Sequence, residues 1–225
     1  TIMCMWSATP PLLPLRPQWY DQASLGIMDQ LFCMQSRDIV LDIETQNSFQ
    51  EVGKYDPRLL KISLVGLYDF ATDTYQSFLE HELHKMWPLL EHADRLIGYN
   101  IDGFDVPVMD TYYPGDLTRF PTLDIMKEIE KKIGFRVKLD DVAQATLGVG
   151  KSGSGLMAIE YFRRGEIEKL RDYCLQDVKV TKDVYLYGQE RAEVRYNDRA
   201  GRPVVVPVNF APAGTKPALN LTMPF

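Results

Sequence analysis

Asp38-Ile39-Val40-Leu41-Asp42-Ile43-Glu44-Thr45 reads as a buried strand that carries two acids. Ile39, Val40, Leu41 and Ile43 are β-branched or apolar, the composition of a core strand. Side chains alternate along a strand, so residues two apart share a face. Asp42 and Glu44 therefore project together from the C-terminal end of this strand. Buried carboxylates are costly without a counter-charge, and a pair of them calls for a cation between its members. Oxygen-only ligation suits Mg²⁺ or Mn²⁺. The alternative reading is a strand end whose acids are simply solvated.

Two further stretches carry acids in similar places. Leu96-Ile97-Gly98-Tyr99-Asn100-Ile101-Asp102-Gly103-Phe104-Asp105 is a short apolar strand that turns at Gly103 into a helix beginning at Asp105. The carboxyl ends of strands are where α/β folds place their sites; taken alone, Asp105 also fits a helix-start acid favoured by the dipole. Tyr173-Cys174-Leu175-Gln176-Asp177 lies in the longest helical stretch, Glu166 to about Gln189. Residues four apart share a helix face, so the Tyr173 phenol and the Asp177 carboxylate point the same way. Leu170 and Val180 share that face and turn it inward, where an acid needs a partner. The competing reading makes Asp177 a loop cap and Tyr173 a packing residue.

Taken together, the three strings Asp42-Ile43-Glu44-Thr45, Gly98-Tyr99-Asn100-Ile101 with Phe104-Asp105, and Tyr173-Cys174-Leu175-Gln176-Asp177 make a specific pattern. The chain resembles the DnaQ-like 3′–5′ exonucleases of the RNase H-like superfamily, in the subclass with tyrosine in the third motif (DEDDy). The likeness covers about residues 37 to 190 and is strongest to the proofreading exonuclease domain of family B DNA polymerases. Since 35 residues follow Glu190, it implies a stand-alone relative, similar to bacterial exonucleases of the YprB type.

The resemblance implies an RNase H-like α/β fold, a central mixed β-sheet flanked by helices. It implies two Mg²⁺ or Mn²⁺ ions about 4 Å apart clamping the scissile phosphate, with Asp42, Glu44, Asp105 and Asp177 as their ligands. Asp42 would bridge both ions, Glu44 and Asp177 would complete the first site, and Asp105 would serve the second, directly or through water. Tyr173 would orient the attacking water. A neutral phenol, with a reference pKa of about 10, is a poorer base than metal hydroxide. Thr45, Asn100 and Phe104 are the expected substrate-binding residues, Phe104 by stacking on a base or simply as core. The partner is the 3′ end of a single-stranded nucleic acid, DNA in preference to RNA. The histidine subclass is disfavoured, because His81, His84 and His92 all precede the second motif. An exoribonuclease, a silent nucleic-acid-binding scaffold and an endonuclease using the same ions are the alternatives; a dead scaffold need not keep all four acids.

Composition bounds these readings. The chain has 225 residues, 45% hydrophobic and 25% charged, which suits one α/β domain with extensions. A formal net charge of -6 excludes a generally basic nucleic-acid coat and leaves room for local strand contacts. Cys4, Cys33 and Cys174 form no CxxC, pointing to a reduced, cytoplasmic setting. No apolar run approaches the roughly 20 residues of a membrane span, and the N-terminal residues lack a signal-peptide pattern. The expected organisation is an N-terminal extension over residues 1–36, the exonuclease domain over 37–190, and a hairpin with a Pro-rich tail over 191–225.

The extension is expected to be irregular around Pro10, Pro11, Pro14 and Pro17, with Trp6, Trp19 and Tyr20 as anchors and a short helix from Asp21 to Gln35. Strands are expected over Leu59–Phe70, Thr74–Leu79 and Arg95–Tyr99. Helices are expected over His81–Ala93, Asp105–Tyr112, Leu123–Ile133, Leu139–Leu147 and Leu156–Arg164. A hairpin turned around Asn197–Gly201 follows.

Three patterns are decoys. Ala145 to Gly150-Lys151-Ser152 fits a loose phosphate-loop pattern, but a true one follows a strand, and the residues before this one read as helix. His81-x-x-His84 lacks a third zinc ligand. Asp124, at a strand-to-helix junction, reads as a cap. Two basic runs remain, Lys127, Lys131, Lys132, Arg136 and Lys138, then Arg163, Arg164, Lys169 and Arg171. Each reads as a solvated face, or as a phosphate track if it borders the acidic cleft.

Overall fold

In a computed structural model, which describes residues 37–149 and 155–211, Asp38–Thr45 forms the expected strand, β1. Ile62–Asp69 (β2) and Thr74–Leu79 (β3) fold back as an antiparallel meander. Arg95–Gly98 (β4) and Thr122–Asp124 (β5) extend the sheet in parallel on the other side of β1. The order across the sheet is β3-β2-β1-β4-β5, so β1 is its centre. This is the mixed sheet flanked by helices that the sequence implies. The helices are α1 (Phe49–Val52), α2 (Leu83–Glu91), α3 (Asp105–Met109), α4 (Ile125–Ile133), α5 (Leu139–Leu147), α6 (Gly155–Arg163) and α7 (Ile167–Arg191).

The alternation of β1 decides which layer lies on which face. Ile39, Leu41 and Ile43 enter a core with Met86, Trp87 and Leu90 of α2 and with Val106 and Met109 of α3. Val40 enters a second core on the opposite face, with Ile129 of α4, Val142 of α5 and Val178 and Val184 of α7. Asp42 and Glu44 continue the Val40 side, where α7 crosses β1 and β2. The apolar stripe of β1 thus gives way to acid where the longest helix passes over it.

Element boundaries differ from expectation where local chemistry intervenes. The second strand starts at Ile62, because Pro57–Leu59 forms a 3-10 turn capped by Asp56, whose side chain accepts from the Arg58 amide. The helix expected from Leu123 begins at Ile125. Leu123 and Asp124 belong to β5, and the Asp124 carboxylate caps α4 by accepting from the Lys127 amide. Leu139–Leu147 is helical as expected, so the pattern's first residues, Ala145 to Leu147, lie in a helix and not at the end of a strand, as the decoy reading requires. His81 and His84 are exposed.

The C-terminal hairpin pairs Glu193–Asn197 (β6) with Pro203–Pro207 (β7). Its turn is organised by Asp198, which accepts from the amides of Ala200 and Arg202. Val194, Val206, Val208 and Phe210 are buried in the second core. Phe210 lies so close over Gly188 of α7 that a Cβ there would overlap its ring. Buried Arg95 donates to Asp38 at 2.7 Å, to the Tyr185 hydroxyl at 3.0 Å and to the Ala211 carbonyl at 2.9 Å. The start of β1, the start of β4 and the end of the hairpin are thereby joined. No described helix is long and apolar enough to cross a membrane. The expected anchors Trp6, Trp19 and Tyr20, the helix over Asp21–Gln35, Cys4, Cys33, Lys151–Ser154 and the Pro-rich tail from Pro212 lie outside the described residues.

Candidate active site

The Asp42 and Glu44 side chains open into a cleft of about 320 Å³ at the end of β1. Thr45, Asn47, Ser48, Phe49 and Leu60 continue one wall, Phe104 contributes from the β4–α3 turn, and Ile159 of α6 with Tyr173 and Asp177 of α7 close the rest. Three of the four acids expected together therefore share one cleft. Thr45 is buried in its wall, its hydroxyl donating to the Asn47 carbonyl at 2.9 Å.

The fourth acid, Asp105, reaches the same place from behind. It begins α3 and is 4% exposed, and its Oδ1 accepts from the Ile43 amide at 3.1 Å. Ile43 stands between Asp42 and Glu44, so this bond ties the second motif to the backbone of the first. The turn leading to Asp105 is fastened by Asp124, which accepts from the Asn100 amide at 2.9 Å and the Asp102 amide at 3.3 Å. Asp124 therefore does more than cap α4: it braces the loop that presents Phe104 and Asp105. Asn100 adopts a left-handed backbone (φ 67°), and its Oδ1 is buried against Gly103 without a hydrogen-bond partner. It does not line the cleft among the described residues, whereas Phe104 does.

Tyr173 and Asp177 share a face of α7 as their spacing requires, and the phenol is hydrogen-bonded to the carboxylate. Between them Cys174 points at the sheet, its Sγ 3.5 Å from the Asp42 carbonyl and 3.9 Å from Asp42 Oδ2. The helix comes this close because Gly66 stands opposite Asp42 across the β1–β2 ladder. A Cβ on Gly66 would lie 2.8 Å from Cys174 Sγ. A glycine on one strand thus sets how near the third motif sits to the first.

The electrostatics are those of acids crowded together in a buried cleft. Burial holds the carboxyl of Asp42 well above the usual range, and the charges of Glu44, Asp105 and Asp177 push it further. Glu44 is raised by burial and then by Asp177 and Asp105. Asp105 is pushed up to about 8, chiefly by burial and against the hydrogen bonds from its own amide and that of Ile43. Burial and the same acids keep the Tyr173 phenol neutral.

These donors fit a divalent cation. Ligand atoms of Asp42, Glu44 and Cys174 lie within 4.8 Å of one another. Burial raises the Cys174 thiol well above its ordinary value, so at neutral pH it is a weak donor to Asp42 and not a thiolate ligand. The remaining donors are carboxylate oxygens, the set preferred by Mg²⁺ and Mn²⁺. Sequence reasoning missed the roles of Cys174, Phe49, Ser48 and Ile159. Only Cys174 carried a signal, its position inside the third motif.

A family model described as the RNase_H superfamily matches residues 39–188, from β1 through most of α7. Among solved structures, the family B DNA polymerase from the hyperthermophilic archaeon Pyrobaculum calidifontis aligns with a TM-score of 0.50 and 18% sequence identity, over 68% of this chain and 24% of that one. The likeness is one of fold, and the chain spans about a quarter of that polymerase's length. No curated protein matches the chain. The matched segment contains the five-stranded sheet and every acid of the cleft, and the chain belongs to the RNase H superfamily.

Proposed function

We propose that this protein is a metal-dependent 3′–5′ exonuclease that hydrolyses single-stranded nucleic acid, DNA in preference to RNA. The observation that carries the reading is the convergence of Asp42, Glu44, Tyr173 and Asp177 on one cleft, with Asp105 bonded to the backbone between the first two. Superfamily membership and the fold shared with a DNA polymerase support it. The cleft, about 320 Å³, is at the small end of ligand sites, which run from roughly 300 to 1,000 Å³. That suits one terminal nucleotide better than a base-paired duplex.

In this reading Asp42, Glu44 and Asp177 hold divalent ions, Mg²⁺ or Mn²⁺. Asp105, with one oxygen committed to the Ile43 amide, completes the acidic set. Ions bound there supply activation of a water nucleophile and neutralisation of charge on the departing 3′-oxygen. Tyr173, kept protonated and bonded to Asp177 in this structure, would turn its one hydroxyl proton to the water once Asp177 is engaged by an ion, and so orient the water against the scissile phosphate; it does not take a proton. Phe104, Phe49 and Leu60 offer an apolar wall for the terminal base and sugar, with the Phe49 and Phe104 rings edge to face at 6.0 Å. The water oxygen joins phosphorus as the P–O3′ bond breaks. The products are a nucleoside 5′-monophosphate and a strand shortened by one, with a new 3′-hydroxyl.

The test uses single-stranded DNA and RNA of one sequence, labelled at the 5′ end, with Mg²⁺, with Mn²⁺ and with EDTA. Wild type is expected to shorten the 3′ end stepwise and to stop in EDTA. Asp42→Ala is expected to lose activity by about 10³-fold or more, the order seen when a dominant electrostatic contact to the transition state is removed. Internal cuts instead of single-nucleotide steps mean an endonuclease. Tight binding with no cleavage of either strand means a scaffold and refutes the enzyme.

A further inference from the structure

The two basic runs of the sequence are used in different ways. Lys127 is paired with Asp102, Lys131 with Glu128 and Arg136 with Glu130. Arg164 is paired with Glu160, Lys169 with Glu166, and Arg171 with the Ser77 hydroxyl and Glu168. Most of these partners are near neighbours in sequence, so the charges are neutralised locally. Arg163 differs. Its guanidinium leaves α6 and crosses to the opposite wall, where it bonds the Glu51 carboxylate and donates to the Gln46 carbonyl at 3.3 Å.

That crossing lies at the rim of the cleft. Asn47, Ser48 and Phe49, between Gln46 and Glu51, line one wall. Ile159, one helical turn before Arg163, lines the other. The Arg163 and Glu51 side chains are 52% and 45% exposed, so the pair is screened by solvent, contributes little and is readily exchanged. Glu51 does not depend on Arg163 for its place. Its Oε2 accepts from the Ser48 amide at 2.8 Å and from the Ser48 hydroxyl at 3.1 Å, as part of the box that caps α1. A guanidinium held by a carboxylate presents the fork geometry that also grips a phosphate.

We propose that Arg163 binds a backbone phosphate of the incoming single strand, and that Glu51 is the resident acceptor which the phosphate displaces. The inference rests on the nucleic-acid reading of the cleft and specifies where the strand crosses its rim. The exchange gives the two partners opposite effects on binding. Removing the Arg163 charge removes a phosphate contact. Removing the Glu51 charge removes a competitor for Arg163 and a repulsion against the strand. A tie that only joins the two walls gives both substitutions the same sign.

The experiment is fluorescence anisotropy of the full-length chain with 5′-labelled single-stranded DNA, in Mg²⁺, over a series of salt concentrations. Phosphorothioate linkages at the 3′ end suppress hydrolysis. Arg163→Gln is expected to weaken binding by about tenfold, the scale of a charged hydrogen bond. Its slope of log K against log salt should shrink by about 0.7, the value for one phosphate contact to a single strand. Arg163→Lys should keep the slope and lose part of the affinity. Glu51→Gln, which can still cap Ser48, should bind about threefold more tightly, the scale of an exposed ion pair. Thermal unfolding of each variant verifies that it is folded. Both substitutions weakening the complex, or Arg163→Gln leaving affinity and slope unchanged, overturns the proposal. Wild type failing to bind at all removes instead the nucleic-acid reading on which it rests.

Discussion

Replacing Asp105 by Asn tests the electrostatics of the cleft apart from catalysis. The amide preserves the shape of the side chain, and its oxygen can still accept from the Ile43 amide, now 3.1 Å from Oδ1. What disappears is a buried carboxyl whose pKa is pushed from the ordinary 3.8 to about 8. A raised carboxyl pKa means the folded protein holds a proton that the unfolded chain has released. Its stability is therefore complete below the unfolded value and declines as pH rises toward about 8. The decline is about 1.4 kcal/mol per pH unit across that window. Between pH 5 and 7 Asp105 alone removes about 2.7 kcal/mol, a loss of about 5–11 °C in Tm for a domain of this size. Thermal unfolding in EDTA at half-unit pH steps reads this directly. Asp42 and Glu44 are raised in the same direction, so the variant keeps a residual slope and the difference between the two proteins isolates Asp105. Parallel pH profiles for wild type and Asp105→Asn would falsify the claim that burial holds a proton at this position.

Two other substitutions separate the parts of the site. Tyr173→Phe removes the donor and keeps the ring; kcat should fall about tenfold, the scale of one lost hydrogen bond, with little change in KM and no new acidic limb in the pH–rate profile. A shifted pH optimum would instead make the phenol a base. Gly66→Ala places a methyl 2.8 Å from Cys174 Sγ and 3.2 Å from Val178 Cγ2, an overpacking that costs about 1–3 kcal/mol in urea denaturation. Cys174→Ala removes the sulfur that stands in the way, so the double variant should be more stable than Gly66→Ala alone. Strict additivity there would mean that Gly66 does not set the approach of α7 to the sheet.

What the sequence revealed of this site follows from where an acid interrupts a regular apolar pattern. Asp42 and Glu44 stood out because strand alternation puts them on the face that Val40 buries, and Tyr173 and Asp177 because helical spacing puts them on one inward side. Asp105 carried almost no local signal and became legible only through the motif order. The contacts that set the geometry of the site were not legible, and their sequence separations say why. Asp124 reaches Asn100 across 24 residues, Asp105 reaches Ile43 across 62, and Arg163 reaches Glu51 across 112. Each spans separate elements, so no periodicity records it. β5 has three residues, too few for alternation to register, and its last residue is also the helix cap. Asn100 carries a second constraint that its sequence context did not show. Its motif marks it for the substrate, and its positive φ and a side chain folded onto Gly103 also make it a residue of the turn. The acids of such a site are thus read from pattern, because their chemistry violates the burial rule. The residues that aim them obey every local rule, and only the tertiary fold distinguishes them from ordinary caps, small residues and surface charges.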